Sequence, residues 1–246
     1  MGQNHPKNKR GIILASTARV KENLASARAF NLKNPPSLLG LRFFCKLMTD
    51  SPMPPIVLAS SSSYRKALLS RLMLPFNTVQ PDIDETPQAC ESPQALCERL
   101  SRAKAAAVSG QYSQAIVIGS DQVAALGTQL LGKPGNRARA FDQLTNCSGR
   151  PVDFFTGLCV QLGGTQLFHL AHTRVHFRTL TPAEINRYID VEMPLDCAGS
   201  FKAEGLGICL FDRITSSDPT DLIGLPLIAL TRMLREVGVN PLIATA

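Results

Sequence analysis

An apolar run that ends in four consecutive serines restricts the local fold of this chain more than any other segment. The run Ile56–Ala59 leads into Ser60–Ser63, and Arg65, Lys66 and a helical spacing of leucines follow. A strand that enters a helix through such a turn directs backbone N–H groups and the positive end of the helix dipole outwards. Arg65 and Lys66 add full positive charge at the same place. The segment therefore predicts an anion site that includes Ser60 and Arg65, although a plain helix N-cap would use the same serines.

The rest of the chain alternates strand-like runs with helical periodicities. Strand-like runs lie at 56–59, 115–119, 152–162 and 167–178, and helical spacings lie near 63–73, 93–108, 136–146, 182–190 and 222–237. Proline follows a capping residue at Ser92 and at Thr181, which marks two helix starts. Gly163-Gly164 separates two strand-like runs and predicts a hairpin. This order predicts an α/β fold, namely a mixed β-sheet flanked by helices.

Positive charge is concentrated in the first 52 residues. The net charge of the chain is +7. Residues 1–52 hold nine Lys or Arg and two Asp or Glu, whereas residues 53–246 hold 17 of each. A neutral body argues against a nucleic-acid-binding face, which needs cations to displace counterions from phosphates. We therefore predict a basic, disordered N-terminal extension at 1–52 and a folded domain at 53–246. A transit peptide and an extension upstream of a natural start at Met53 both agree with the first segment.

Two further features bear on the location of the protein. No run of about 18 uncharged apolar residues occurs, which excludes a membrane-spanning helix. The seven cysteines are odd in number, form no C-x-x-C pair and lie mostly among apolar neighbours. We interpret them as reduced residues without a zinc site, and we expect a cytoplasmic protein.

Six motifs in a fixed order carry a family resemblance. The serine turn is followed by Asp82–Thr86, Lys104, Ile118–Val123, Gly132–Pro134 and Ala198–Gly205. With these motifs, residues 53–242 resemble the Maf family of nucleoside triphosphate pyrophosphatases. The resemblance implies an elongated, two-lobed fold of the Maf/ITPase type with a central cleft. It also implies hydrolysis of a nucleoside triphosphate between the α and β phosphates, a house-cleaning activity in nucleotide metabolism.

Three residues differ from the usual pattern of that family. Tyr64 replaces the first of two arginines, Gln122 replaces a threonine and Glu204 replaces a glutamine. With these residues the chain resembles the branch that hydrolyses 7-methyl-GTP to 7-methyl-GMP and pyrophosphate. Methylation at N7 makes guanine a cation, on which an electron-rich ring stacks more strongly. A carboxylate can accept hydrogen bonds from the N1–H and N2–H groups of guanine while its charge opposes that of the base. The three residues are thus expected to set substrate specificity.

Cations at several of the motifs are suited to a triphosphate, which carries nearly four negative charges. Hydrolysis needs these charges to be neutralised and the pyrophosphate leaving group to be stabilised. Arg65 can hold two phosphate oxygens at once, whereas lysines act as point charges. The resemblance implies that the phosphate contacts come from Ser60, Arg65, Lys104, Lys133 and Lys202.

The acidic residues predict a metal site and a base. Glu85, with Asp84 as a second candidate, is the expected ligand of a divalent cation, Mg²⁺ or Mn²⁺. Asp121 follows the apolar run 115–118 directly, and open α/β sheets place ligands beyond the carboxyl ends of strands. The resemblance implies that Asp121 accepts the proton of the attacking water. A direct metal role for Asp121 would look the same in the sequence.

Simpler interpretations of several residues stay open at this point. Lys104 fits a solvated helix residue, Asp82–Glu85 fits a solvated turn, Tyr64 fits the surface of its helix, and Glu204 fits an ion pair with Lys202. At the level of function, the alternatives are the same chemistry on unmodified NTPs or dNTPs, a non-catalytic nucleotide-binding regulator of cell division, and an RNA-binding protein that uses the basic N-terminus. The oligomeric state is open, a homodimer included.

Overall fold

The computed structural model describes residues 53–243, and the predicted extension at 1–52 lies outside the described residues. Short 3₁₀ turns occupy Ala198–Ser200 and Leu206–Leu210. The strands and longer helices are, in chain order, β1 (Ile56–Ala59), α1 (Ser63–Ser70), β2 (Phe76–Val79), α2 (Pro93–Ser109), β3 (Ile116–Leu126), β4 (Gln129–Leu131), α3 (Arg137–Cys147), β5 (Pro151–Leu162), β6 (Thr165–Phe177), α4 (Pro182–Glu192), β7 (Phe211–Thr215) and α5 (Leu227–Glu236).

Seven strands form one mixed sheet. The mixed sheet is as the sequence predicts, but only four of its strands were predicted. The order across the sheet is β2-β1-β3-β5-β6-β7, and β4 pairs with the far end of β3. β1 runs parallel to both β2 and β3. The neighbouring pairs β3–β5, β5–β6 and β6–β7 are antiparallel. The predicted hairpin joins β5 to β6, and Gly163 adopts a positive φ of 54° at its turn. The α/β fold class is therefore confirmed.

Strand β3 is longer than the run 115–119 predicts, because it has two successive sets of partners. Residues up to Gly119 pair with β1, and pairing with β5 continues as far as Ala125. Asp121 consequently lies within a strand and not after its end, which corrects the expectation. It does lie beyond the last residue of β1, Ala59, which pairs with Gly119. The predicted position at a carboxyl edge of the sheet thus holds for β1 but not for β3.

The helices form separate hydrophobic cores along the sheet. α1 and α5 cover β1 and the first part of β3, where Leu58 and Leu230 are completely buried. α3 and α4 pack with the second part of β3, β5 and β6, and Leu144 and Ile189 are completely buried there. The division agrees with two lobes joined by a continuous sheet.

Helix α2 lies unusually close to the sheet because two glycines face it. A Cβ atom at Gly119 would collide with the backbone oxygen of Ser101 and the backbone nitrogen of Ala105. A Cβ atom at Gly157 would collide with the Ser101 hydroxyl. That hydroxyl accepts a hydrogen bond from the Asp121 N–H at 3.0 Å. The close packing of α2 on β3 therefore places its next turn beside Asp121.

Local sequence signals locate the helix starts better than the spacing does. The Ser92 hydroxyl accepts a hydrogen bond from the N–H of Ala95, and Thr181 and Glu184 form a complete capping box, as the predicted starts require. The last helix begins at Leu227 and not at 222, because residues 220–224 form turns and Gly224 adopts a φ of 122°. None of the helices in this part of the chain is both long and apolar enough to span a membrane.

Candidate active site

One cavity of about 690 Å³ brings together the residues that the sequence places in separate motifs. It opens at the carboxyl end of β1 and continues along β3 towards the loop after α4. All ten predicted site residues contribute to its wall: Ser60, Tyr64, Arg65, Glu85, Lys104, Asp121, Gln122, Lys133, Lys202 and Glu204. Their roles stay predictions, but the proximity that those roles require is present.

The serine turn at the start of α1 combines the two interpretations that the sequence left open. Ser62 is the N-cap, and its hydroxyl accepts a hydrogen bond from the N–H of Arg65 at 3.4 Å. The buried Ser60 hydroxyl accepts a hydrogen bond from the N–H of Ser62 at 3.1 Å and holds the turn in shape. Capping therefore uses one serine, and the turn as a whole still lines the cavity.

Arg65 is anchored through one nitrogen of its guanidinium group. Nε donates a hydrogen bond to the backbone oxygen of Gly224 at 2.9 Å. In the part of the chain that the structure describes, neither Nη group donates a hydrogen bond to protein. Burial lowers the pKa of Arg65, and the nearby Asp121 opposes that shift. The Arg65 guanidinium group is thus held in place through Nε, and its two Nη groups are left for phosphate oxygens.

Lys104 lies between two carboxylates. Its Nζ is 2.6 Å from Oδ1 of Asp121 and 2.7 Å from Oε1 of Glu85. The Lys104 side chain is only 8% exposed, so it is not a solvated helix residue. Asp121 is also enclosed, whereas the Glu85 side chain is 59% exposed at the mouth of the cavity. One ammonium group therefore draws together two acids from distant parts of the sequence.

The two acids that meet at Lys104 suit a divalent cation that the substrate would help to bind. Within residues 53–243, no three His, Cys, Asp or Glu side chains form a complete metal-binding set. Mg²⁺ is commonly held by one or two carboxylates together with substrate phosphates and water. Glu85 and Asp121 supply that number of carboxylates. Asp84, the second candidate, instead accepts a hydrogen bond from the N–H of Thr86 and does not line the cavity.

The two remaining lysines occupy different environments. Lys133 is exposed on the loop between β4 and α3, at the cavity wall. Lys202 donates a hydrogen bond from Nζ to the backbone oxygen of Glu192 at 2.9 Å, at the C-terminal end of α4. Its ammonium group therefore contacts a helix end and not Glu204, so the predicted alternative of an ion pair between Lys202 and Glu204 is wrong. Glu204 is exposed at the cavity wall.

Tyr64 faces the cavity from the first turn of α1. Its hydroxyl oxygen lies 3.9 Å from Sγ of Cys197, which is within hydrogen-bond reach of sulfur. Burial raises the pKa of Tyr64 well above its ordinary value, and the neighbouring Cys197 raises it further. The half-buried phenol consequently stays neutral at physiological pH.

Two residues beside Gln122 were not predicted from the sequence. Nε2 of Gln122 lies 3.0 Å from the hydroxyl oxygen of Thr156 and 3.1 Å from the backbone oxygen of Asp221. A polar residue within the apolar run 152–162 was the available signal for Thr156. A backbone oxygen leaves no signature in a sequence, because every residue carries one.

The carboxylate of Asp221 is only partly satisfied inside the protein. Oδ2 accepts hydrogen bonds from the Ser216 hydroxyl at 2.8 Å and from the N–H of Asp218 at 3.2 Å. Oδ1 is buried and has no hydrogen-bond partner among the described residues. Burial raises the pKa of Asp221, so its ionised form is disfavoured in the folded state.

We expect Asp221→Asn to change the pH dependence of stability. Because the folded-state pKa of Asp221 is raised, the folded protein binds the extra proton between the unfolded-state and folded-state pKa values. The contribution of Asp221 to stability is thus most favourable below the unfolded pKa and falls as the pH rises through the folded pKa. An asparagine carries no such dependence.

The melting temperature of Asp221→Asn minus that of the parent should therefore increase between pH 4 and pH 8. The matched control is Asp142→Asn on the exposed face of α3, for which we expect a nearly constant difference. A constant or decreasing difference for Asp221→Asn would show that the carboxylate is not strained by burial.

Comparisons of the sequence with known proteins give strong matches. A family model described as Maf-like protein matches residues 55–237. A 7-methyl-GTP pyrophosphatase of Xanthomonas oryzae pv. oryzae is 59% identical over 186 residues, which cover 76% of this chain and 98% of that protein. A protein of the same name from Pseudomonas aeruginosa is 52% identical over 190 residues, covering 76% of this chain and 99% of that protein.

The match to solved structures is much weaker. The Staphylococcus aureus Ham1 protein aligns with a TM-score of 0.37 and 12% identity, over 50% of this chain and 71% of that chain. The family model covers most of the chain, and the bacterial relatives match almost over their whole length. The chain is a member of the Maf family.

Proposed function

We propose that the chain hydrolyses 7-methyl-GTP to 7-methyl-GMP and pyrophosphate with the help of a divalent cation. The observation that carries the proposal is the Glu85–Lys104–Asp121 cluster, with contacts of 2.6 and 2.7 Å, inside the cavity that all the predicted site residues line. The names of the Maf relatives from Xanthomonas and Pseudomonas support the same substrate.

The cavity wall holds residues suited to phosphates and residues suited to a base. Arg65, the serine turn and Lys133 provide positive charge and hydrogen-bond donors for the triphosphate. Tyr64 and Glu204 contribute a ring and a carboxylate to the same cavity wall, which is the combination that complements a methylated, positively charged guanine.

Water attacks the α-phosphorus in this proposal. The new P–O bond forms as the bond from the α-phosphorus to the bridging oxygen breaks, and pyrophosphate leaves. Asp121 accepts the proton of the water, and its carboxylate is held in place by Lys104. Arg65 and Lys133 balance the charge on the leaving pyrophosphate.

A divalent cation, Mg²⁺ or Mn²⁺, would be held by Glu85 and by one oxygen of Asp121. When bound, such an ion neutralises phosphate charge and polarises the phosphoryl group. The exposed Glu85 is accessible to a cation that arrives with the nucleotide.

The proposal also covers which part of the chain carries the activity and where the protein is located. Residues 53–246 carry the activity, because every residue assigned above lies in that range. A reducing, cytoplasmic location agrees with the free thiols of Cys90, Cys97, Cys147, Cys159, Cys197 and Cys209. A homodimer is compatible with this function but is not required by it.

A nucleotide panel tests the proposal directly. We expect the highest kcat/KM for 7-methyl-GTP, equimolar release of pyrophosphate and nucleoside monophosphate, and loss of activity with a chelator. A chain that begins at Met53 should behave in the same way. Preference for an unmodified NTP would replace the substrate, and release of orthophosphate alone or no turnover of any triphosphate would refute the reaction.

A further inference from the structure

The side-chain amide of Gln122 is surrounded on one side by oxygens. Its Nε2 lies 3.0 Å from Oγ1 of Thr156, 3.1 Å from the backbone oxygen of Asp221 and 3.0 Å from the backbone oxygen of Leu222. Gln122 on β3 and Thr156 on β5 are directly opposite in the strand register. Residues paired in this way present their side chains to the same face of the sheet.

The direction of the hydrogen bonds follows from the chemistry of these oxygens. The two backbone oxygens can only accept. The Thr156 hydroxyl donates its single proton to the Asp221 oxygen at 2.9 Å, so towards Gln122 it can only accept. A flipped amide would place its own carbonyl oxygen against the two backbone acceptors. The NH₂ group of Gln122 must therefore face them, and both of its protons are used.

The other end of the amide has different surroundings. Oε1 of Gln122 has no hydrogen-bond partner among residues 53–243, and it is not a buried unpartnered atom, a class that here contains only Oδ1 of Asp221. Gln122 forms part of the cavity wall. Its carbonyl oxygen is consequently unpartnered and at least partly exposed, on a residue that lines the cavity.

We infer that Thr156 is a positioning residue for base recognition, because together with the backbone oxygens of Asp221 and Leu222 it holds the Gln122 NH₂ group and leaves only a hydrogen-bond acceptor of the amide for the cavity. Thr156 is 1% exposed and does not line the cavity, so it acts through Gln122 and not on the substrate. The inference rests on the proposed function and adds to it the reason why Gln122 is selective.

Two acceptors in the cavity wall would distinguish the purine bases by their hydrogen-bonding edges. Glu204 is an acceptor when ionised, and the fixed Gln122 adds a second acceptor. Guanine presents donors at N1 and N2, whereas adenine has an acceptor at N1. If the amide could turn over, its NH₂ group would become available to the adenine acceptor. Fixing the amide therefore rejects adenine without requiring any new contact to guanine.

Thr156→Val tests this inference, since valine has nearly the same shape and lacks the hydroxyl. We expect the ratio of kcat/KM for 7-methyl-GTP to that for ATP to fall roughly threefold to tenfold, the effect of one ordinary hydrogen bond. Thr156→Ser keeps the hydroxyl and should restore the ratio. In a Gln122→Ala background, Thr156→Val should leave the ratio unchanged, because the residue through which it acts is gone.

Gln122→Glu provides a second variant that does not depend on Thr156. It presents only acceptors and has no NH₂ group that could turn towards the cavity, so we expect it to keep rejecting ATP and to lose the dependence on Thr156. An unchanged ratio in Thr156→Val, a fall of the ratio caused by Thr156→Val in the Gln122→Glu background, or equal effects of Thr156→Val with and without Gln122, would overturn the inference.

The outcomes separate this inference from the proposed function. If the parent enzyme prefers another triphosphate, the proposed substrate is wrong. The double-mutant cycle of Thr156→Val and Gln122→Ala is then measured with that triphosphate and with a triphosphate of a different base. If no triphosphate is hydrolysed, the cycle is measured as a ratio of Kd values for the two nucleotides. Non-additivity between Thr156 and Gln122 then still decides whether the amide is held.

Discussion

Asp121→Asn should lower kcat by about a hundredfold or more, which is the usual contribution of a general base. Asparagine keeps the size of the side chain and an oxygen for the contact that Asp121 Oδ1 makes with Lys104 at 2.6 Å. It removes the carboxylate that takes up the proton of water. Because the backbone N–H of residue 121 remains bonded to Ser101, we expect the fold and the melting temperature to be nearly unchanged.

Steady-state kinetics of the variant and the parent, at several metal concentrations, check this prediction. If Asp121 acts mainly as a base, excess metal will not restore activity. If it acts mainly as a metal ligand, activity will recover in part as the metal concentration rises. Asp142→Asn on α3 serves as a control with full activity. Near-normal turnover of Asp121→Asn would remove this residue from the mechanism altogether.

Glu204→Gln should reduce the preference for 7-methyl-GTP over GTP by roughly tenfold to a hundredfold. The estimate corresponds to a charge-assisted hydrogen bond of about 1.5–3 kcal/mol. Glutamine retains the shape of the side chain but not the negative charge that complements the methylated base. Tyr64→Ala should have a smaller effect in the same direction, since stacking on a cation contributes about 0.5–2 kcal/mol.

The decisive quantity is the ratio of kcat/KM for the two nucleotides in each variant. Hydrolysis of GTP should change less, because GTP has the same N1–H and N2–H groups but lacks the positive charge that Glu204 complements. Glu236→Gln, exposed on α5 and away from the cavity, is the matched control. Equal ratios in the parent, Glu204→Gln and Tyr64→Ala would mean that neither side chain reads the methyl group.

Strong local patterns made a large part of the fold predictable. Three kinds of signal act over only a few residues. They are the apolar run before the serine turn, the N-caps Ser92 and Thr181 with the proline that follows each, and the hairpin at Gly163. β2, β4 and β7 were not predicted. β2 and β7 are partly or largely exposed along their length, and β4 has only three residues. Such strands are defined by the partner beside them more than by their own hydrophobic pattern.

In the candidate site, too, some residues were predictable from the sequence and others were not. Charged and aromatic residues such as Arg65, Tyr64 and Asp121 were identifiable because few other roles explain them in ordered motifs. The supporting groups were not identifiable from chemical type. Thr156 is a β-branched residue in a strand, where threonine is common. The acceptors at residues 221, 222 and 224 are main-chain atoms, and only the turns at 220–224 place them beside the cavity.

The short segment Asp221–Gly224 has a consequence for how a nucleotide is sensed as a whole. The Gly224 oxygen accepts hydrogen bonds from Arg65 Nε and from the Ser120 hydroxyl. Three residues earlier, the Asp221 oxygen holds Gln122. The same few peptide units thus support the group assigned to phosphate and the group assigned to base. With the roles proposed for Arg65 and Gln122, a ligand that shifts this segment from one end would alter the geometry at the other, and the two halves of a nucleotide would not be recognised independently.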